Sequence, residues 1–491
     1  MKVAFLMLAA CALFAQAISE WAFVEADHRL HYRYDAHGNS IMDFSSAGYR
    51  AGGVKLPSAA AAQRLLPAPG DNTTRIQAAL DKAGGTVVLA AGEYEIAGTL
   101  RITRSGVVLR GEKGADIRLT AKPHTFLEIH GVGTWREEGP AAPVLDAYVA
   151  AGASTFRVRG ASAFHPGDHV LVLHPVTAEW IHFMGMDPLD TLVHDSQPQD
   201  WIRAGSVIRT DRVVESVDED RITLDVPLSD ALDSQFTAAS LVRYSFPGRI
   251  TEVGVEGLRI EAPFEDVPIN GPRYTALRMD GVEDGWARDL EIRETHNGIV
   301  VGPGAKRLTL TNVSITHPLA HSRSAAPADF ALQGTQILVD RCRVTGEGTS
   351  PVVTQSEATG PLVILNFTAD QGGVAPHQPW ATGLLVDGGK FPGGTEGSPG
   401  LAFSNHATAG SSQGWDVGWA VAWNVSSPFL LVQKPPGALN WCIGCIGTPV
   451  TIGSTPNGTF DSPGKMVEPA SLYLQQLRDR LGPDAVRDIG Y

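Results

Sequence analysis

The chain has little cysteine, few aromatic residues, fewer cations than anions and, past its first residues, no long apolar run. Each shortage excludes something. Cys11 lies in the N-terminal apolar segment, so only Cys342, Cys442 and Cys445 serve the body of a 491-residue chain, too few for a disulfide scaffold. Cys442-Ile-Gly-Cys445 is open to two readings, a local disulfide or half of a zinc site, and no second CxxC or paired-His motif completes the latter. Cys342 reads as a core thiol. With 39 Lys and Arg against 53 Asp and Glu, the formal charge is −14, which argues against nucleic acid or an anionic membrane surface as partner. The same balance weighs against a strongly polyanionic substrate. No later stretch approaches the roughly 18 apolar residues of a membrane span. Aromatics at 7% beside 53 glycines and 32 prolines describe strands and turns rather than long helices.

What is present begins with an address. Lys2 precedes an apolar run from Val3 to Phe14, and Ala15-Gln16-Ala17 offers the small-x-small pattern of a signal peptidase site. Residues 1–17 are therefore predicted to be a signal peptide cut after Ala17, with a lipoprotein cut before Cys11 as the alternative. The mature chain is predicted to be secreted and monomeric.

The second half repeats. Gly257-Leu258-Arg259-Ile260, Asp289-Leu290-Glu291-Ile292, Asn312-Val313-Ser314-Ile315, Arg341-Cys342-Arg343-Val344, Asn366-Phe367-Thr368-Ala369 and Asn424-Val425-Ser426-Ser427 recur at the spacing of a solenoid coil. A double gap before Val425 leaves room for one degenerate turn around Leu384 and Val386. No single unit can bury its apolar side alone, so the units must stack. An all-β parallel β-helix follows. Asn312, Asn366 and Asn424 also open glycosylation sequons.

Six regions are predicted: the leader 1–17, an irregular lead-in 18–69, a cap and first coils 70–141, an inserted antiparallel β-strand module 142–245, the main coils 246–460, and a tail with a helix 461–491. Gly70-Asp71-Asn72-Thr73-Thr74, followed by Ile76-Gln77-Ala78-Ala79-Leu80, starts a capping helix that covers an otherwise open strand stack. Ala470 to Leu481 is spaced as a second helix, read as a terminal cap or brace.

The run from Gly70 to Asp81, with Gly84-Gly85-Thr86-Val87-Val88-Leu89 and Gly92-Glu93-Tyr94 downstream, resembles the first-coil signature of the pectate-lyase superfamily. Asp43 to Arg50, His377 to Gly383 and Gln433 to Trp441 look like segments of one branch of it. The resemblance implies a right-handed parallel β-helix acting on polysaccharide. It also implies one of two mechanisms. A lyase removes the proton beside a uronic carboxylate with a base and a stabilising cation, for which a divalent ion such as calcium is the expected cofactor. A hydrolase sets paired carboxylates across the scissile bond. No adjacent Asp-Asp followed by His-Gly and Arg-x-Lys occurs, so the polygalacturonase pattern is not met.

Side chains suited to a lyase come from successive coils: Glu291, Arg293 and His296; His317, His321 and Arg323; Asp340, Arg341 and Arg343; Asp370, His377, Asp387 and Lys390; then His406, Asp416 and Lys434. His377, in a Gly/Pro loop, is the predicted base, with Asp387 and Asp416 orienting a metal or a sugar hydroxyl. Trp380, Trp415 and Trp441 lie in glycine- or proline-rich corners and are predicted to stack on sugar, with Lys434 as a further contact. Between strands of the insert, Glu179, His182, His194 and Asp195 belong to a polar and aromatic loop that can overhang a cleft. The leading expectation is a lyase on a uronate-containing glycan. The alternatives are a glycoside hydrolase and a non-catalytic glycan-binding or wall-associated protein.

Overall fold

The computed structural model describes residues 17–58, 60–187, 200–268, 270–322, 326–407 and 413–491. The predicted leader, apart from Ala17, lies outside the described residues, as do His194, Asp195 and Arg323. Strands make up 45% of the chain and helices 8%, and the chain is a right-handed parallel β-helix.

Stacking puts equivalent residues about 4.8 Å apart, and the interior is built as ladders of such residues. One inward ladder runs Val87, Leu109, Val255, Ala287, Leu310, Val339, Ile364, Val386, Ala422 and Cys442. The opposite wall contributes Leu100, Leu127, Leu277, Ile299, Phe330 and Val352. Both ladders belong to one continuous core. Cys342, Cys442 and Cys445 are buried free thiols within it.

The repeated signature is a corner followed by an inward residue. Gly257, Asp289, Asn312, Arg341, Asn366 and Asn424 all have positive φ, and each is followed by a buried core residue. Glycine, Asn and Asp tolerate that left-handed turn best. The degenerate coil proves to use Gly388 at this corner, after the strand Ala381–Asp387.

The first end of the solenoid is closed. The helix Thr73–Lys82 sends Ile76, Ala79 and Leu80 into the core. Gln77 fixes it to the neighbouring strand Leu100–Ile102 through the backbone N–H and carbonyl of Arg101.

Between the coil strands Thr125–His130 and Ile250–Glu256, the chain leaves the solenoid and builds a six-stranded antiparallel sheet. Its strands include Arg136–Pro143, His169–Pro175, Val207–Asp218 and Ser240–Ser245, over a separate core containing Phe156, Val170, Ile222 and Leu241. An ionic cluster joins it to the coils. Asp211 accepts from Lys306 Nζ at 2.7 Å, Arg249 at 3.0 Å and the Tyr244 hydroxyl at 2.7 Å. Lys306 belongs to the coil strand Lys306–His317 and is fully buried.

The outer face of the later coils is covered rather than solvated. Leu338, Val363, Leu365, Leu385, Val421, Trp423 and Trp441 point outward and pack against Met42 and Phe44 of the lead-in and against Leu472, Tyr473 and Leu477. The tail helix Leu472–Leu481 thus runs along the side of the solenoid as a brace. On one outward row, Asp340 accepts from the Tyr491 hydroxyl, Asp387 from Ser471 Oγ and Tyr473 N, and Asp461 from Ser19 Oγ and Glu20 N.

Candidate functional site

A concavity of about 700 Å³ opens where the insert leans over the last coils. Its first wall is a helix, Ala178–Phe183, where the sequence predicted loop. Thr177 caps it by accepting the Trp180 N–H. The cap aims Trp180 inward, with its ring 5.1 Å from those of His174 and Trp201 and 5.9 Å from Trp380. Glu179, His182 and Phe183 line the opening. Phe183 stacks on Phe236 at 4.3 Å, and a Cβ at Gly437 would meet the Phe183 ring at 2.7 Å, so the loop of Lys434 to Leu439 fits closely against it.

Asp230 forms the polar floor. One carboxylate oxygen accepts the Trp380 indole N–H at 2.8 Å, and the other accepts that of Trp419 at 2.8 Å. His174 Nδ1 stands 3.9 Å away. Burial holds the His174 imidazole below its usual pKa, the nearby carboxylate opposing it. Trp380 and Trp419 both have positive φ, a conformation bulky residues rarely adopt, and both aim their N–H at this single carboxylate. Asp35, Glu179, Asp230 and Asp233 line the cleft against one lysine, Lys434.

Of the predicted site residues, Glu179, His182, Trp380 and Lys434 therefore meet in the cleft. Trp380 is buried and offers an edge and a hydrogen bond, not a stacking face. Trp441 is buried between Trp21 and Trp419. Trp415 is buried too, its carbonyl accepting the Trp201 indole N–H. Neither can receive a sugar ring, because the lead-in, the tail and the insert already cover these coils. Asp387 faces the same brace and caps the tail helix through Ser471 and Tyr473; burial pushes its carboxyl up to about 7.

Asp416 and His377 fall in a second cluster. Asp416 is buried, accepts from Ser404 N and Oγ, and lies 3.3 Å from His406 Nε2. Burial holds its carboxyl well above the usual range, the Ser404 donors opposing it. Gln413 links His406 to exposed His377 at 3.2 Å on each side. Sequence reading missed Asp230, Asp233, Asp35 and Trp180 as site residues. Trp180 was within reach beside Glu179, whereas nothing local marks Asp230.

Among the described residues, the group whose ligand atoms converge as for a metal is Glu294, His317 and His321. Two imidazoles and one carboxylate do not suit calcium, which takes oxygen ligands.

No family model matches the chain, and no curated protein matches it. Solved structures with similar architecture include the tailspike of Acinetobacter baumannii bacteriophage AP22, solved with a capsular saccharide, at 9% identity and TM-score 0.31 over 80% of this chain and 63% of that one. The tailspike of E. coli bacteriophage HK620 matches at 12% identity and TM-score 0.38 over 90% and 68%. Iota-carrageenase from A. fortis matches at 10% identity and TM-score 0.30 over 79% and 59%. The chain thus spans less than two thirds of the AP22 tailspike and of the carrageenase.

Proposed function

We propose that this is an exported carbohydrate-active protein that holds a polysaccharide in the cleft between insert and coils and hydrolyses it with the cleft carboxylates. The observation that carries this reading is Asp230, fixed by two indole N–H groups at the floor of an aromatic, acid-lined cleft. Pyranose rings present apolar C–H faces to aromatic walls and hydroxyls to carboxylates. Glu179 or Asp233 would supply the second carboxyl that glycoside hydrolysis requires. Four acids against one lysine make the cleft a poor receptor for uronate carboxylates, which weighs against β-elimination there.

A lyase remains the second reading, on the other cluster. There buried Asp416 orients His406, and exposed His377 stands beside it, an arrangement fit for a general base. One experiment separates the two. Purified protein is screened against a polysaccharide panel by reducing ends and by ultraviolet absorbance, since only elimination creates a conjugated double bond. Reducing ends without absorbance, abolished by Asp230→Asn and kept in His406→Ala, is the expected result. Absorbance abolished by His406→Ala instead moves the chemistry to the second cluster, and binding without product marks a non-catalytic glycan receptor. Export is tested by sequencing the secreted protein, which should start at Ile18.

A further inference from the structure

Five ionisable side chains are buried together where two neighbouring coils turn toward the opposite wall of the solenoid, the one that contains Phe330. Glu294 follows the strand Val282–Arg293, with His296 two residues on. His317 ends the next coil's strand, Lys306–His317, and His321 follows in the loop. Asp329 comes from the opposite-wall strand Ala328–Leu332. The side chains of His317 and Asp329 are 0% exposed and that of Glu294 is 7% exposed, while residue His321 is 8% exposed.

Burying such groups without partners is costly, so their free atoms are informative. His317 Nε2 is 2.7 Å from Asp329 Oδ1. A carboxylate there accepts a hydrogen bond from Nε2–H, which favours the tautomer whose Nδ1 lone pair faces the other way. On that side, Nδ1 has no hydrogen-bond partner, and Glu294 Oε2, also without one, is 3.9 Å off. Neither ring nitrogen of His321 has a partner. Ligand atoms of Glu294, His317 and His321 all lie within 4.8 Å of one another. His296 stands 5.5 Å and Phe264 5.1 Å from the His321 ring.

We propose that Glu294, His317 and His321 bind a divalent transition metal, zinc by donor preference, with Asp329 orienting His317 from behind. Two imidazoles and a carboxylate are a zinc donor set, and a carboxylate on the far nitrogen of a metal-bound histidine is the usual way such a ligand is held. The ion would tie two coils together and, through His317 and Asp329, link them to the opposite wall. The cluster is separate from the cleft, so the proposal does not depend on the function assigned above.

The test uses the untagged chain, stripped with a chelator and titrated with Zn²⁺ alone, Co²⁺ alone and Ca²⁺ alone. One Zn²⁺ should bind per chain and raise the melting temperature, and Co²⁺ should give the visible absorption of a nitrogen-and-oxygen tetrahedral site. His321→Ala and Glu294→Gln should weaken Zn²⁺ binding by about 100-fold or more. Asp329→Asn, which touches no metal, should weaken it by roughly 10- to 100-fold. A folded wild-type chain that takes up no Zn²⁺ and shows no melting shift overturns the proposal. So does Zn²⁺ affinity unchanged in Asp329→Asn and His321→Ala, or binding of Ca²⁺ in place of Zn²⁺.

Discussion

The carboxylate of Asp230 accepts the indole N–H of Trp380 at 2.8 Å, although the two residues are 150 positions apart and belong to the insert and the coils respectively. The same carboxylate holds Trp419. This one side chain therefore sets both the floor of the cleft and the seating of the insert on the last coils.

Replacing Asp230 by Asn should lower glycan turnover by about 100-fold or more, the scale of a lost acid–base group, and leave the melting temperature within a few degrees. Trp380→Phe keeps the ring and removes one donor to the carboxylate, so a loss of roughly 10-fold is expected, on the scale of one charged hydrogen bond. Kinetics on the substrate found in the panel decide the matter. Wild-type turnover in both variants would remove the cleft from the mechanism.

Asp387 should give the chain a pH-dependent stability of defined sign. Its folded pKa is pushed up to about 7 by burial, whereas the unfolded value is about 3.9. The native state keeps this proton longer than the unfolded state, so stability is complete below about pH 4 and falls as pH rises toward about 7. Asp387→Asn should retain the acceptor for Ser471 and Tyr473 and flatten that fall. Urea midpoints of both proteins between pH 4 and 8 provide the check, and parallel curves would refute it.

Asp211→Ala should be severely destabilising. It leaves Lys306 and Arg249, which are buried, without their shared carboxylate, at a cost of about 3–5 kcal/mol. Because Asp211 belongs to the insert and Lys306 to the coils, glycan binding in the cleft should weaken as well. Denaturant melts with binding measured on the folded fraction test both effects.

The tail brace should be energetically essential. Tyr473 is fully buried, and its hydroxyl donates to the Ala47 carbonyl. Tyr473→Ala is expected to cost about 3–5 kcal/mol through the cavity it leaves, against about 1 kcal/mol for Tyr473→Phe, which loses only the hydrogen bond. Equal unfolding midpoints for the two variants would contradict the packing described for the tail.

The coils were legible because each one spells the same two facts, a corner residue tolerant of left-handed backbone and an inward apolar residue after it. Asn312-Val313 and Asn366-Phe367 carry both in adjacent letters. Glu179 and Lys434 could be singled out because no strand pattern explains their segments, although Glu179 proves to lie on a short helix rather than in a loop. The fate of the tryptophans was not. Trp441 sits in a corner-rich stretch like that of Trp380, and what covers it, Trp21, arrives from the other end of the chain without any periodic signal. Asp230 was illegible for the same reason, being a lone acid whose meaning comes from indoles 150 and 189 residues away. The buried histidine cluster was half legible, since His296, His317 and His321 were read, but their partners Glu294 and Asp329 were lost among ordinary acids.

An open solenoid can fray coil by coil, because each unit answers only to its neighbours. Here the aspartate row reverses that independence. Asp461 grips the segment at Ser19 and Glu20, while Asp387 and Asp340 grip the returning tail at Ser471, Tyr473 and Tyr491. Tyr491 is thus fastened beside Asp340, several coils before the one from which the tail departs. No late coil can peel away without first releasing a strap anchored elsewhere, so the later half of the molecule should melt as one unit, with a steep transition unlike that of a linear repeat array.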